Sequence, residues 1–261
     1  MRVDTERVRY AVSDNGVADV RLNRPQKINA LDRRMFEALV GTAQRLAVDP
    51  SVRAVVLSGE GDGFCAGLDF AMFREMAEGS GAGLLENPPA PIGPAKALGQ
   101  QAAYVWSTVP VPVIAAVHGV AYGGGLQIAL GTDIRVTAPD ARFSVMEVKW
   151  GLVPDMTGTQ LLPRLVGLDV AKELTFTGRI VDGVEADRMG LATKTASDPL
   201  AAALDLANTI AEQSTQAVRR AKRLLDLAGR VSLETGLDAE QVAIGSWWDR
   251  QSSEQSRKEA S

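Results

Sequence analysis

The sequence contains a single cysteine, Cys65, among its 261 residues. An internal disulfide is therefore excluded, and this low cysteine usage is typical of a reducing compartment. No apolar run approaches the roughly 20 residues that a membrane-spanning helix requires. Residues 1–12 mix charges of both signs and lack the apolar region of a signal peptide. These absences together predict a cytoplasmic protein with no membrane span.

Histidine is equally scarce, since His118 is the one histidine of the sequence. No group of His, Cys and Asp has the spacing of a metal site, so no metal is expected. Cys65 lacks a partner base and is therefore a poor candidate for a nucleophile. A single histidine directly after a buried strand is usually a packing residue. The chemistry is therefore expected to depend on carboxylates and backbone groups.

Long runs of positive charge are absent as well. The formal net charge is −4, and the lysines and arginines are scattered along the chain. The densest basic stretch, residues 219–223, spans little more than one helical turn and is interpreted as a solvated helix face. The sequence therefore does not predict a nucleic-acid-binding surface.

The chain does contain alternating strand-like and helical segments, followed by helices alone. Asn15-Gly16 between two apolar runs predicts a β-hairpin, and residues 31–46 have the apolar spacing of a helix. Residues 70–103, rich in Gly, Pro and Ala, are interpreted either as a lid beside a pocket or as an insertion without function. We expect an α/β core over residues 1–198 and a helical region over residues 199–261.

The stretch from His118 to Asp155 carries the clearest chemical pattern. A buried strand ends there, the glycines at 123–125 follow, and a helical segment begins at once. A glycine turn that enters a helix exposes backbone N–H groups to a negatively charged oxygen. Two carboxylates, Glu147 and Asp155, follow shortly afterwards. The pattern predicts an enzyme that stabilises an enolate-like oxyanion and moves protons beside it.

Three stretches together resemble the crotonase (enoyl-CoA hydratase/isomerase) superfamily. They are RPQKINAL at residues 24–31, FCAGLD at residues 64–69, and the region from VPVIAAVHG to GTQLLPRLVG at residues 111–167. The resemblance extends over nearly the whole chain, to about Trp248. Their order and separations make the combination specific, whereas the three glycines alone would be a weak signal.

The resemblance implies a crotonase-like α/β fold, a spiral of ββα units with a C-terminal helical region that makes trimers or a dimer of trimers. The substrate would be an acyl-CoA thioester, so coenzyme A would arrive with the substrate and no separate cofactor is expected. The thioester oxygen would lie between two backbone N–H groups, matched here to Ala66 and Gly124. The substrate-binding positions matched by the resemblance are Lys27 near the CoA phosphates and, with Gly124, the backbone of Ala66, Gly67, Leu68 and Asp69.

The resemblance also assigns roles to three polar side chains. Glu147 matches the catalytic glutamate of the family's hydratases and isomerases. Gln127 occupies the position of the hydratases' other glutamate, and an amide cannot exchange a proton in this chemistry. Asp155 matches an aspartate of the dienoyl-CoA isomerases, although an aspartate after a proline could instead cap a helix that starts near residue 157.

These matches favour a double-bond isomerase acting on enoyl- or dienoyl-CoA. Two acid/base groups beside one bound acyl chain could take a proton from one carbon and return it to another. The alternatives are an enoyl-CoA hydratase that uses Glu147 alone, a thioester hydrolase or other enolate-forming enzyme, and a non-catalytic acyl-CoA-binding homologue.

Overall fold

The computed structural model describes residues 2–4, 7–77 and 90–245. The strands are β1 (Arg2–Asp4), β2 (Val8–Val12), β3 (Val17–Leu22), β4 (Ala54–Gly59), β5 (Val113–Val117), β6 (Val120–Tyr122), β7 (Ile134–Thr137), β8 (Arg142–Ser144), β9 (Val181–Asp182) and β10 (Lys194–Thr195). The α-helices are α1 (Arg33–Val48), α2 (Phe70–Ala77), α3 (Leu98–Thr108), α4 (Gly124–Leu130), α5 (Gly158–Val166), α6 (Leu168–Thr177), α7 (Gly183–Arg188), α8 (Pro199–Ala211) and α9 (Thr215–Leu227). Two 3₁₀ turns, Pro25–Lys27 and Met146–Trp150, complete these elements, and residues 233–245 are also helical.

Seven strands form the larger sheet, in the order β1-β2-β3-β4-β5-β7-β10. The pairs β1–β2 and β2–β3 are antiparallel, so the hairpin predicted at Asn15-Gly16 is confirmed. The remaining pairs, from β3 to β10, are parallel. Strand β5 and residues 54–57 of β4 are apolar because parallel strands are covered on both faces.

A second sheet contains β6, β8 and β9. The chain passes from β5 in the larger sheet to β6 in the smaller one and then enters α4. It next passes from β7 in the larger sheet to β8 in the smaller one and then enters the 3₁₀ turn at Met146–Trp150. Because β6 and β8 are parallel neighbours, the starts of α4 and of this turn lie side by side. This α/β arrangement of ββα units is the predicted one, and it positions the site.

The predicted boundary at residues 198/199 lies 14 residues too early. The chain forms two compact units, Met1–Glu212 and Gln213–Ser261. Helix α8 belongs to the first unit, because its alanines pack on the outer face of the larger sheet. Small side chains at intervals of four residues let this helix approach the strands closely. The alanines concerned are Ala203, Ala207 and Ala211.

The second unit contains α9 and the helical residues 233–245. Ser214 caps α9 by accepting a hydrogen bond from Ala217 N–H. The polar stretch at residues 251–261 and residues 78–89 of the segment interpreted as a lid or an insertion lie outside the described residues. No described helix combines the length and apolar character needed to cross a bilayer. Trimer formation stays a prediction.

Candidate active site

Glu147 lies on the 3₁₀ turn after β8, beside the glycine turn that begins α4. Its Oε1 accepts a hydrogen bond from Gln127 Nε2 at 2.6 Å. Its Oε2 is buried and has no hydrogen-bond partner among the described residues. A Cβ added at Gly123 would lie 3.3 Å from Glu147 Oε1, so the carboxylate faces the backbone just before Gly124. One carboxylate oxygen is thus held by the protein, and the other is left for a proton.

The surroundings of this carboxylate raise its pKa. Burial disfavours the charged form and is the largest influence, whereas the backbone N–H of Glu147 and the Gln127 amide favour it. The negative charge of Asp155 raises the pKa further, and the net result lies above the ordinary value of 4.5. Such a group can both accept and return a proton. Glu147 lines a pocket together with Gln127. The apolar walls of this pocket are formed by Leu126, Leu130, Val145, Pro154 and Leu162.

Gln127 is fully buried on α4, and both ends of its amide are occupied. Its Oε1 accepts hydrogen bonds from Met156 N–H and Gly158 N–H, each at 2.8 Å. Its Nε2 donates to Glu147. The structure therefore brings Gln127 and Glu147 together. The amide orients the carboxylate and fixes the following loop, and it carries no exchangeable proton for the reaction.

Asp155 stands on that loop, exposed to solvent. Its side chain makes no hydrogen bond within the described parts of the chain, and its charge acts on Glu147. The alternative capping role is excluded, because the N-cap of α5 is Thr157 and the first N–H of this helix, that of Gly158, donates to Gln127 Oε1. Asp155 thus remains available to a ligand, and its predicted catalytic role stays a prediction.

We expect Asp155→Asn to shift the acid limb of the kcat/KM profile to lower pH. The limb reports ionisation of Glu147 in the free enzyme, and removing the nearby negative charge removes an influence that raises this pKa. A pH–rate profile measured beside the exposed control Asp140→Asn checks the shift. An unmoved limb, or a shift to higher pH, would contradict the placement of Asp155.

The FCAGLD segment lies between the 28–31 segment and the glycine turn before α4. Ala66 N–H donates to Ile28 O at 2.8 Å, so it is already engaged by the protein. The prediction that Ala66 supplies an oxyanion donor was therefore wrong for this N–H group. The reason is Gly67, whose left-handed φ of +90° turns the chain directly after Ala66.

Leu68 carries a free N–H group that the sequence motif did not indicate. Leu31 N–H donates to Gly67 O at 2.8 Å, and Asp69 N–H donates to Leu31 O at 3.0 Å. These bonds on either side of Leu68 point its own N–H away from Leu31. Neither Leu68 N–H nor Gly124 N–H has an acceptor within the chain that the structure describes. Two small-residue turns therefore present two free N–H groups.

Close backbone contact holds these two turns together. A Cβ added at Gly67 would lie 2.7 Å from Tyr122 O, and one added at Gly125 would lie 2.5 Å from Cys65 O. Only residues without a side chain allow this approach. The Cys65 thiol is fully buried here, which raises its pKa to about 12 and makes it unreactive.

Two other predicted substrate-binding positions differ in their side-chain environments. Burial would raise the pKa of Asp69, but Ala71 N–H and the Arg24 guanidinium hold it below its ordinary value. Its carboxylate therefore serves the protein itself, and only its backbone can border a ligand. Lys27 is exposed on the first 3₁₀ turn, and its charge also lowers the pKa of Asp69. A contact of Lys27 with CoA phosphates stays a prediction.

Thr157 combines two unfavourable features beside the site. Its φ is +80°, a left-handed conformation that β-branched residues rarely adopt. Its hydroxyl oxygen is buried and finds no hydrogen-bond partner in the described chain. The residue lies between Met156 and Gly158, the two residues that hold Gln127. The segment that anchors the site is therefore strained.

Replacing Thr157 by glycine is expected to stabilise the protein by about 1–2 kcal/mol, because it relieves backbone strain and a buried unpaired hydroxyl at some entropic cost. Thermal or denaturant unfolding measures the change. Thr157→Ala serves as the matched variant, since it removes the hydroxyl but keeps the Cβ on the left-handed backbone. A Thr157→Gly protein less stable than wild type would show that the side chain makes a favourable contact.

The family model for enoyl-CoA hydratase/isomerase matches residues 13–259. The chain therefore belongs to the enoyl-CoA hydratase/isomerase family. Mitochondrial methylglutaconyl-CoA hydratase of Mus musculus is 34% identical over 247 residues, which are 92% of this chain and 75% of that protein. The crystal structure of enoyl-CoA hydratase from Bacillus anthracis matches with a TM-score of 0.80 and 30% identity over 96% of each chain. A Thermobifida fusca YX structure in complex with CoA matches with a TM-score of 0.80 and 31% identity over 94% of each chain.

These relatives confirm the predicted superfamily and its fold. They do not confirm the finer likeness to dienoyl-CoA isomerases, because the first two are named as hydratases. The class of enzyme is therefore shown, and the particular reaction within the class has to be argued from the site.

Proposed function

We propose that the protein is an acyl-CoA double-bond isomerase in which Glu147 carries the proton. One observation supports this choice over hydration. At the second acid/base position, Gln127 has an amide whose oxygen accepts two backbone N–H groups and whose nitrogen donates to Glu147. Addition of water needs one group to activate the water and another to protonate carbon, whereas a proton shift within the substrate needs a single carboxylate.

The proposed reaction of a 3-enoyl-CoA ester has two steps. Glu147 removes a proton from C2, and the electron pair moves onto the thioester oxygen to give a dienolate. The free N–H groups of Leu68 and Gly124 donate to this oxygen, where preorganised donors act on developing charge. Glu147 then returns the proton to C4, which gives the conjugated 2-enoyl ester. No water is consumed and no atom is lost.

A 3,5-dienoyl ester would need the proton at a more distant carbon. Asp155 is the second carboxylate in this proposal, because its side chain is exposed and its charge is felt at Glu147. Glu147 and Asp155 would then act at the two ends of the conjugated system. Hydratase activity is the second candidate, and the names of the mouse and Bacillus anthracis relatives favour it.

Product mass separates the two candidates. Incubation with a 3-enoyl-CoA ester is expected to give a conjugated product of unchanged mass, whereas hydration of a 2-enoyl-CoA ester adds one water. Gln127→Glu supplies a second carboxylate and is expected to raise the ratio of hydration to isomerisation. Faster hydration of the 2-enoyl ester than isomerisation of the 3-enoyl ester by the wild-type protein would reject the isomerase proposal.

A further inference from the structure

A line of four charged side chains leads from Arg7, directly before β2, to the FCAGLD turn. Arg7 Nη2 lies 2.7 Å from Asp32 Oδ2, Arg24 Nη1 lies 3.8 Å from the same oxygen, and Arg24 Nη1 lies 2.6 Å from Asp69 Oδ2. The Arg24 and Asp69 side chains are only 13% and 8% exposed. The resemblance and the proposed reaction assign no role to Arg24.

The Arg24 guanidinium joins the two backbone segments that border Leu68. Its Nη1 donates to Ala30 O at 2.9 Å as well as to Asp69. Asp69 in turn accepts Ala71 N–H at 2.8 Å and so fixes the start of α2. Asp69 is thereby held through its backbone N–H, which donates to Leu31 O, and through its side chain, and both contacts fix the peptide that precedes it. The N–H of Leu68 lies one residue before this anchor.

We propose that Arg24 is a positioning residue, which holds the Leu68 N–H in the direction of the thioester oxygen. The inference rests on the proposed function, in which Leu68 supplies one of the two oxyanion donors. A buried ion pair adds little net stability compared with apolar side chains of the same size, because both charges lose their hydration. Its benefit here is geometric, since a planar guanidinium restricts the carboxylate more than a flexible ammonium does.

Two variants test the proposal from opposite ends of the pair. Arg24→Lys keeps the charge and loses the planar fork, and Asp69→Asn keeps the size of the side chain and removes its charge. Arg33→Lys is the matched control, because Arg33 forms an exposed pair with Glu37 on α1. We expect the two variants to lower kcat about 10- to 100-fold, the effect of a displaced catalytic group, while KM changes by less than about threefold.

A spectroscopic measurement separates positioning from a general loss of structure. Binding of a conjugated 2,4-dienoyl-CoA ester to the unreactive Glu147→Gln protein is expected to shift the ligand absorbance to longer wavelength, because the oxyanion donors polarise its carbonyl. Adding Arg24→Lys or Asp69→Asn is expected to reduce this shift by at least about half if one of two donors is misdirected. Adding Arg33→Lys should leave the shift unchanged.

The possible outcomes are distinct. A full absorbance shift in both variants overturns the role of Arg24, as does loss of the folded state in both. If only one variant folds, the absorbance shift that it gives with the bound ester decides whether Arg24 positions the Leu68 N–H. The absorbance measurement requires binding of the ester but no turnover. A wild-type protein that shifts the ligand absorbance without isomerising any enoyl ester would therefore reject the proposed reaction. The absorbance shifts of the Arg24→Lys and Asp69→Asn variants would still test the role of Arg24. A Glu147→Gln protein that binds the ester without any shift would overturn both.

Discussion

Replacing Glu147 by glutamine is expected to lower turnover of enoyl-CoA esters by about 10²- to 10⁴-fold, the contribution of a positioned acid/base group. Glutamine retains the shape of the side chain and removes its ability to carry the proton. KM should change little, since the free N–H groups of Leu68 and Gly124 are untouched. Steady-state kinetics on 3-enoyl- and 2-enoyl-CoA esters measures both quantities. The exposed control Glu37→Gln should retain wild-type turnover.

The same variant has an expected effect on stability that depends on pH. The pKa of Glu147 in the folded protein lies above its ordinary value of 4.5. Protonation of Glu147 is thus favoured by folding and stabilises the folded protein. This stabilisation is fully present below the pKa of Glu147 in the unfolded chain, and it is lost as the pH rises through its pKa in the folded protein. Glu147→Gln should therefore gain stability relative to wild type as the pH increases through this range. A Glu147→Gln protein with wild-type turnover would reject the assignment of Glu147.

Replacing Gly67 by alanine is expected to cost about 2–4 kcal/mol of stability, from backbone strain and overpacking together. The backbone φ at this position is +90°, and the new Cβ would lie 2.7 Å from Tyr122 O. The FCAGLD turn and the glycine turn before α4 would have to separate. Because each turn carries one free N–H group, turnover should also fall at least about 100-fold, as when an oxyanion donor is lost.

Gly229→Ala separates backbone strain from steric contact. Gly229 has a similar left-handed φ of +70°, and a Cβ added there meets nothing within 4 Å. This control should cost about 1 kcal/mol and leave turnover unchanged. Denaturant unfolding and steady-state kinetics on the two variants give the comparison. Equal losses of stability in both would show that the Tyr122 contact has no importance.

The local elements could be predicted because their signals are local. Asn15-Gly16 permits the turn that the β2–β3 hairpin requires, and the apolar run of β4 is long enough only for a strand buried on both faces. The apolar spacing over residues 31–46 predicted α1, and Asp32 accepts Met35 N–H at 2.8 Å at the start of this helix. The resemblance assigned Gln127 and Glu147 to the family's two acid/base positions, and their hydrogen bond was found only in the structure.

The oxyanion donor could not be assigned from the motif alone. Ala66 and Leu68 are two residues apart, and in a regular extended strand their N–H groups would point the same way. The left-handed conformation of Gly67 breaks this regularity, so one N–H is used by Ile28 O and the other is free. The sequence shows a glycine there but does not show its φ.

Two other features depend on contacts between distant residues. Arg24 and Asp69 are 45 residues apart, and nothing local in either segment predicts that they form an ion pair. No strand lies between helix α8 and α9, and its packing on the larger sheet places α8 in the first unit. Long-range packing therefore decides both the boundary and the anchor of the FCAGLD turn.

In the proposed reaction, Glu147 moves a proton within the acyl-CoA substrate without adding water. Reaction of a 3-enoyl-CoA ester with the wild-type protein, followed by mass spectrometry and by the absorbance of the conjugated thioester, tests it most directly. We expect a conjugated 2-enoyl product of unchanged mass, formed by wild type and suppressed about 10²- to 10⁴-fold in Glu147→Gln. Accumulation of a 3-hydroxyacyl product as the main species, or equal rates in the two proteins, would contradict it.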